Sequence, residues 1–185
     1  GASGHRLDLL GRDQLQVAEG DRVQQDLHAG LGAGLASQRI ANKDLADVLG
    51  NFVSRITKFC NAKFGDHVPE GGDHGDAERV LIADTAQRLA RYEEFMEAME
   101  VRKSAQELRA IWASGNEYLQ ATAPWSTFKS DPQTAAMQTR LGLNLAALYA
   151  VLSAPFIPDA SSRILNHLGM KDAKWPVDLT QFLVA

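Results

Sequence analysis

The sequence has few aromatic residues and distributes them unevenly. All seven Phe, three Tyr and three Trp residues lie at or after Phe52, whereas residues 1–41 hold seven of the fifteen glycines. A stretch without large apolar side chains has little with which to nucleate a core. We therefore predict that residues 1–41 are a glycine-rich, poorly ordered or loosely docked segment, and that residues 42–185 form the folded domain.

Cysteine and long hydrophobic runs are also scarce. The single cysteine, Cys60, cannot form a disulfide within the chain, which predicts a reducing, cytoplasmic setting. Its position on the apolar stripe of a predicted helix favours a buried hydrophobe over a catalytic nucleophile. No run of about eighteen apolar residues occurs, and the N-terminus lacks a signal-peptide pattern. The sequence therefore predicts no membrane partner.

The motifs of common catalytic sites are missing as well. The chain has no Gly-rich phosphate loop, no G-x-S-x-G, no C-x-x-C pair and no H-E-x-x-H. Acidic and histidine residues after Phe64 suggest a metal site, but the glycines and the proline among them predict a flexible connector instead. These residues are Asp66, His67, Glu70, Asp73, His74 and Asp76. We predict no catalytic residue, no metal and no cofactor in this chain.

What the sequence does contain is apolar residues at helical spacing. The first long helix is predicted from an N-cap at Asn42 to Phe64, with Gly65 ending it. Four more are predicted: at about 77–100, from a capping box at Ser104 to Pro124, at about 131–155, and a shorter one at about 159–168. No stretch alternates like a strand. The predicted fold class is all-α, an antiparallel five-helix bundle.

Charge is concentrated locally within a chain of net charge −4. Residues 51–64 carry three basic and no acidic residues, whereas residues 65–100 carry three basic and ten acidic residues. This balance argues against a protein that grips duplex backbone along its length. It favours a contact surface for an anionic partner on the first long helix.

Three polar residues share one face of that helix. Asn51, Arg55 and Lys58 recur at helical steps and offer hydrogen-bond donors without a carboxylate. The guanidinium can meet a base edge or a phosphate, and the amide can both donate and accept. Trp125, just past a predicted helix end at Pro124, is either a platform for a stacked base or an aromatic plug. The residues alone leave open whether Asn51 and Arg55 are a binding site or a solvated face.

Longer motifs extend this pattern over residues 40–180. They are I-A-N-K-D-L-A-D-V-L-G-N-F-V-S-R from Ile40, K-F-G-D-H-V-P from Lys63, G-N-E-Y-L-Q-A-T-A-P-W from Gly115 and P-F-I-P from Pro155. Together they resemble the anticodon-binding domain of class I aminoacyl-tRNA synthetases, most closely that of methionyl-tRNA synthetase. The resemblance implies that Asn51 and Arg55 read the first anticodon base, a cytosine, and that Trp125 stacks with the unwound loop.

Two weaker expectations and two departures accompany the resemblance. Lys58 and Lys129 are expected to contact backbone phosphates. Gln120 stands where some family members have an acidic residue that repels wrong anticodons, which puts that discrimination in doubt. The catalytic motifs of the family, H-I-G-H and K-M-S-K-S, are absent from the sequence. We therefore expect no methionine–tRNA ligase activity from this chain alone.

The leading hypothesis is an anticodon-binding module for the CAU anticodon of methionine tRNAs, working with a catalytic domain or subunit. The alternative is a synthetase-derived helical bundle that serves as a protein-interaction or structural module without binding RNA. Asn51, Arg55 and Trp125 together favour the first hypothesis. The acidic total and the missing catalytic motifs favour the second.

Overall fold

A computed structural model describes the backbone of residues 36–170 and the side chains of residues 47–170. Six helices occur in this range: α1 (Ala36–Phe64), α2 (Asp76–Glu97), α3 (Val101–Thr122), α4 (Pro124–Thr127), α5 (Pro132–Ser153) and α6 (Pro158–His167). Five of them are long enough to build the core, and α4 is a single turn. The prediction of an all-α bundle with five main helices is confirmed. Within these residues, no helix combines the length and apolarity needed to cross a membrane.

The bundle reverses direction at each connection between its long helices. The start of α2 meets the end of α3, where the Tyr118 hydroxyl donates to Glu78 Oε1 at 2.7 Å. The end of α2 meets the end of α5, where the Tyr92 hydroxyl donates to the Leu152 carbonyl at 2.8 Å. Because these bonds are buried, they fix the relative register of the helices in a low-dielectric interior. Burial also raises the pKa of Tyr118, and the bond to Glu78 raises it further.

Helix α1 lies directly on α5. Gly142 permits this approach, because a Cβ at that position would lie 2.7 Å from the Ile56 Cδ1 atom. Around this contact, Phe52, Ile56 and Cys60 are fully buried. The buried face of α1 therefore holds the helix rigidly and leaves its opposite face for other contacts.

Several predicted helix boundaries are wrong. Helix α1 begins at Ala36 rather than at Asn42, because the residues between them carry no glycine or proline to stop it. Its end at Gly65, which has a φ of +77°, is confirmed. The boundary predicted between residues 41 and 42 falls inside α1, and the division into two segments stays a prediction, since residues 1–35 lie outside the described part.

The predicted capping box at Ser104 is also wrong. Helix α3 begins at Val101, so Ser104 lies inside it, buried, with its hydroxyl donating to the Glu100 carbonyl at 3.1 Å. Glu107, the second member of the predicted capping box, instead pairs with arginines of α2, and its Oε1 atom lies 3.0 Å from Arg91 Nη2. Residues of the types found in a capping box can also make contacts inside a helix, as Ser104 does, and between helices, as Glu107 does.

The connector between α1 and α2 is docked, contrary to the prediction of a flexible segment. Pro69 is buried, and Arg140 of α5 donates to the carbonyls of Gly71 at 3.3 Å and Gly72 at 3.1 Å. Gly71 lies so close to α5 that an added Cβ would be 2.5 Å from the Met137 nitrogen. Gly71 thus permits close packing against α5, whereas a glycine in the sequence of a connector indicates only flexibility.

We expect Gly71→Ala to lower the free energy of unfolding by about 1–3 kcal/mol, because the Met137 backbone cannot move aside. Gly72→Ala is the matched control, since no heavy atom lies within 4 Å of the added Cβ. The control should be neutral or stabilising by up to about 1 kcal/mol. Urea denaturation followed by circular dichroism measures both, and equal effects at the two glycines would contradict the docked connector.

Candidate nucleic-acid interface

The outward face of α1 carries the three polar residues singled out in the sequence. Asn51 and Lys58 are exposed and Arg55 is half-buried, while Leu49, Val53 and Cys60 on the opposite face are buried. Three- and four-residue steps place the first three on one side of the helix. Their positions follow from the apolar face, which is fixed in the core.

Trp125 reaches this face through an unusual turn. Ala123 has a φ of +41°, in the left-handed region, and Pro124 then starts the single-turn helix α4. The turn leaves the Trp125 indole half-buried, with its ring centroid 6.4 Å from that of Phe59 and the rings nearly perpendicular. Edge-to-face packing of this kind fixes the indole without covering it completely.

Arg55 and Trp125 are in direct contact. The guanidinium carbon of Arg55 lies over the indole ring, 4.7 Å from its centroid. This is a cation–π contact, worth about 0.5–2 kcal/mol depending on its exposure to water. The structure thus brings together two residues separated by 70 positions in the chain. The Trp125 ring packs on Phe59 and has one face against the Arg55 guanidinium, and its role as a platform for a stacked base stays a prediction.

Asn116 of α3 is a member of this site that carried no assigned role in the sequence analysis. Its Nδ2 atom donates to the Val48 and Trp112 carbonyls, each at 3.1 Å. Its Oδ1 atom accepts a long hydrogen bond of 3.4 Å from Asn51 Nδ2. The Asn51 amide is therefore oriented with its nitrogen toward Asn116 and its oxygen away. A sequence signal existed: the asparagine interrupts the apolar spacing of Trp112, Gly115 and Leu119. We call Asn51, Arg55, Asn116 and Trp125 the polar–aromatic surface.

The two predicted phosphate contacts lie at different places on the exposed side. Lys58 lies one turn after Arg55 on α1, and Lys129 lies in the turn between α4 and α5. Both side chains are exposed. Their roles as phosphate contacts stay predictions, as do the roles of Asn51, Arg55 and Trp125 in reading RNA.

A group of aromatic rings continues from Trp125 toward the end of α1. Phe59 packs against Phe64 and Phe128 at centroid distances of 6.0 and 6.1 Å, and Phe64 packs against Phe128 at 5.5 Å. We call Phe59, Phe64, Trp125 and Phe128 the aromatic cluster. It joins the last turns of α1 to α4 and so fixes the position of the polar–aromatic surface.

Three of the acidic and histidine residues after Phe64 have ion-pair partners. Asp66 pairs with His67, and Asp76 pairs with Arg79 at 2.7 Å. Among the side chains of residues 47–170, no three His, Cys, Asp or Glu residues are grouped so that they could hold a metal ion. Burial raises the pKa of the Cys60 thiol to about 12, so at neutral pH it is a protonated, buried group.

Comparison with known proteins places this geometry in a class. The family model described as the anticodon binding domain of methionyl tRNA ligase matches residues 68–185, a range that contains Asn116 and Trp125 and follows Asn51 and Arg55. The methionine–tRNA ligase of Roseobacter denitrificans is 67% identical over 148 residues, which are 80% of this chain and 26% of that protein. That of a Ruegeria species is 65% identical with the same coverage. The chain thus spans about a quarter of the length of these curated relatives.

A solved structure agrees in fold. The free-state methionyl-tRNA synthetase of Mycobacterium tuberculosis superimposes with a TM-score of 0.60 at 23% identity, over 74% of this chain and 30% of that one. This likeness extends to the fold of the helical bundle, and the family model defines its class as an anticodon-binding domain. The family model and the relatives narrow this class further: the chain belongs to the anticodon-binding domains of methionyl-tRNA ligases.

We expect Asn116→Ala to lower the free energy of unfolding by about 1 kcal/mol, because a bond between α3 and α1 is lost. Ser114→Ala is the matched control on the same helix, since its hydroxyl donates only within α3, to Ala110 at 3.0 Å and Ile111 at 3.2 Å. The control should stay within about 0.5 kcal/mol of the unchanged protein. Thermal or urea unfolding measures the free energy of unfolding of both variants. A larger loss for Ser114→Ala than for Asn116→Ala would contradict the bridging role of Asn116.

Proposed function

We propose that this chain binds the anticodon loop of a tRNA with the anticodon CAU, reading its first base with Asn51 and Arg55. The observation that carries the proposal is the contact of Arg55 with Trp125 beside the oriented Asn51 amide. A guanidinium, an amide and an indole on one rigid surface can bind a splayed base by its edge and its face.

The orientation of Asn51 favours cytosine. Because Asn51 Nδ2 is directed toward Asn116, the Asn51 Oδ1 atom is the group turned away, and it accepts hydrogen bonds. The cytosine edge carries one donor, the N4 amino group, beside the acceptors N3 and O2. Asn51 can accept from N4 while Arg55 donates to the acceptors. Uracil carries an acceptor at position 4 and a donor at N3, so the Asn51 contact and the Arg55 contact with N3 would be mismatched, and buried polar groups would be left unpaired.

Trp125 would supply stacking once the base enters. In the free protein, the Arg55 guanidinium covers the indole at 4.7 Å, so entry of a base exchanges one contact for another. The lost cation–π contact is worth about 0.5–2 kcal/mol and a stacked base about 1–3 kcal/mol. The exchange is therefore close to balanced, and the hydrogen bonds that the freed guanidinium makes to the base edge give the net affinity. Lys58 and Lys129 would add phosphate contacts that do not depend on sequence.

The ligase reaction would be carried out by a catalytic part beyond this chain. The sequence lacks H-I-G-H and K-M-S-K-S, and the 148 residues that match are only 26% of the length of the relative from Roseobacter denitrificans. We propose that the chain recognises tRNA for that part and does not itself activate methionine. The buried thiol of Cys60 agrees with a reducing compartment, and we assign this function to the cytoplasm.

The test compares anticodon stem-loops bearing CAU and GAU, titrated at one fixed salt concentration and followed by RNA fluorescence anisotropy. We expect CAU to bind more tightly, and Arg55→Ala to weaken its binding by about 1–3 kcal/mol. Asn51→Ala should reduce the preference for CAU over GAU.

Two control variants remove an arginine and an asparagine that lie outside the polar–aromatic surface. Arg102→Ala removes an exposed arginine at the start of α3, fourteen residues from Asn116 and therefore about 20 Å along the helix. Asn166→Ala removes an exposed asparagine on α6. Both should bind as the unchanged protein does. Equal binding of CAU and GAU, or no binding of either, would leave the alternative of a helical bundle that serves as an interaction module.

A further inference from the structure

A second pair of a cation and an aromatic ring lies beside the polar–aromatic surface. The Lys63 ammonium lies over the Phe128 ring, 5.4 Å from its centroid. Phe128 is half-buried and Lys63 is exposed, so the pair is at the edge of the aromatic cluster and not inside it. Nothing in the reading of the first anticodon base by Asn51 and Arg55 makes use of this pair.

The two pairs are arranged around one shared ring. Phe59 contacts Trp125 at 6.4 Å and Phe128 at 6.1 Å, with interplanar angles of 80° and 84°. The cations above them, Arg55 and Lys63, lie eight residues apart on α1, which is about 12 Å at 1.5 Å per residue. A stacked strand advances only about 3.4 Å per nucleotide, so two neighbouring nucleotides can use both rings only with their bases splayed apart. Unpaired loops are bound by proteins in that state.

The charge around the second pair also suits a phosphate. Between Asn51 and Phe64 the chain has no acidic residue. The first acidic residue after each member of the pair has a partner. Asp66, after Lys63, pairs with His67, and Asp131, after Phe128, accepts from the Thr134 nitrogen at 3.0 Å and its hydroxyl at 2.6 Å. Lys63 can therefore add its charge to that of Lys129, which follows Phe128 directly.

We propose that Phe128 and Lys63 form a second nucleotide subsite, which takes another unpaired nucleotide of the loop that the polar–aromatic surface binds. Its base stacks on Phe128, and Lys63 neutralises the adjoining phosphate. This inference rests on the proposed function. A phenyl ring offers no hydrogen bond and a lysine is a point charge, so the subsite adds affinity without distinguishing bases.

The fold provides an internal control for this subsite. Lys103 lies over Phe95 at 5.4 Å, the same distance as in the Lys63–Phe128 pair, but at the far end of the α2–α3 hairpin. A purely structural role for such pairs would give equal effects at both places. A nucleotide subsite would give an effect on RNA binding at Lys63 and Phe128 alone.

The experiment measures binding of the CAU and GAU stem-loops by the full chain and its variants Lys63→Gln, Phe128→Leu, Lys103→Gln and Phe95→Leu. Phe128→Leu keeps an apolar side chain and should weaken binding of both loops about tenfold, through loss of stacking. Lys63→Gln should weaken both loops and lower the slope of log affinity against log salt by about 0.7. The ratio of CAU to GAU affinity should not change, whereas Asn51→Ala lowers it. The Lys103 and Phe95 variants should bind normally.

Stem-loops with single abasic nucleotides identify the stacked base. At one position other than the first anticodon base, an abasic nucleotide should weaken binding of the stem-loop to the unchanged protein. The same abasic stem-loop should bind to the Phe128→Leu variant as tightly as the complete stem-loop does. If the unchanged protein prefers CAU but the Lys63 and Phe128 variants bind as it does, the subsite is refuted and the proposed function stands. Equal losses in the Lys103 and Phe95 variants would also refute it. If the unchanged protein shows no preference for CAU, the proposed function fails and the subsite with it.

Discussion

The edge-to-face packing of Phe59 is the interaction on which the candidate site depends. Its ring is buried and contacts Phe64, Trp125 and Phe128 at centroid distances of 6.0 to 6.4 Å. These contacts join the end of α1 to α4, two segments far apart in the chain. Trp125 makes its second ring contact with the Arg55 guanidinium, so Phe59 and Arg55 together position the indole. Aromatic pairs of this kind are worth about 0.5–1.5 kcal/mol each beyond the area they bury.

The site is thus a surface assembled from three elements, each held by the core. Helix α1 supplies Asn51 and Arg55, α3 supplies Asn116, and α4 supplies Trp125. Because the backs of these elements are packed, the polar groups are positioned before a ligand arrives, and little conformational entropy remains to be lost on binding. Arg55 is the exception, since its guanidinium has to leave the indole for a base to stack there. In the proposed function, the reorganisation that binding requires is therefore concentrated in the Arg55 side chain.

Much of the fold could be predicted from the sequence, because apolar spacing and the glycines and prolines between helices act locally. Other predictions failed where contacts with residues distant in the sequence determine the structure. The connector around Gly71 looked flexible, but its carbonyls are bound by Arg140 of α5. In the site, helical spacing alone placed Asn51 and Arg55 on one face. The approach of Trp125 could not be derived from spacing, since it depends on the Ala123 turn and on Phe59, and its role entered through a family resemblance.

The left-handed turn at Ala123 has a consequence for protein engineering. An L-residue with a side chain costs roughly 1–2 kcal/mol in this conformation, whereas glycine adopts it freely. A glycine there would relieve strain in the folded state, but it would also give the unfolded chain more conformations to lose and the segment before Pro124 more freedom. Alanine thus exchanges some thermal robustness for a tightly defined entry into α4. A substitution at Ala123 that is meant to raise the melting temperature therefore also changes how firmly Pro124 and Trp125 are positioned.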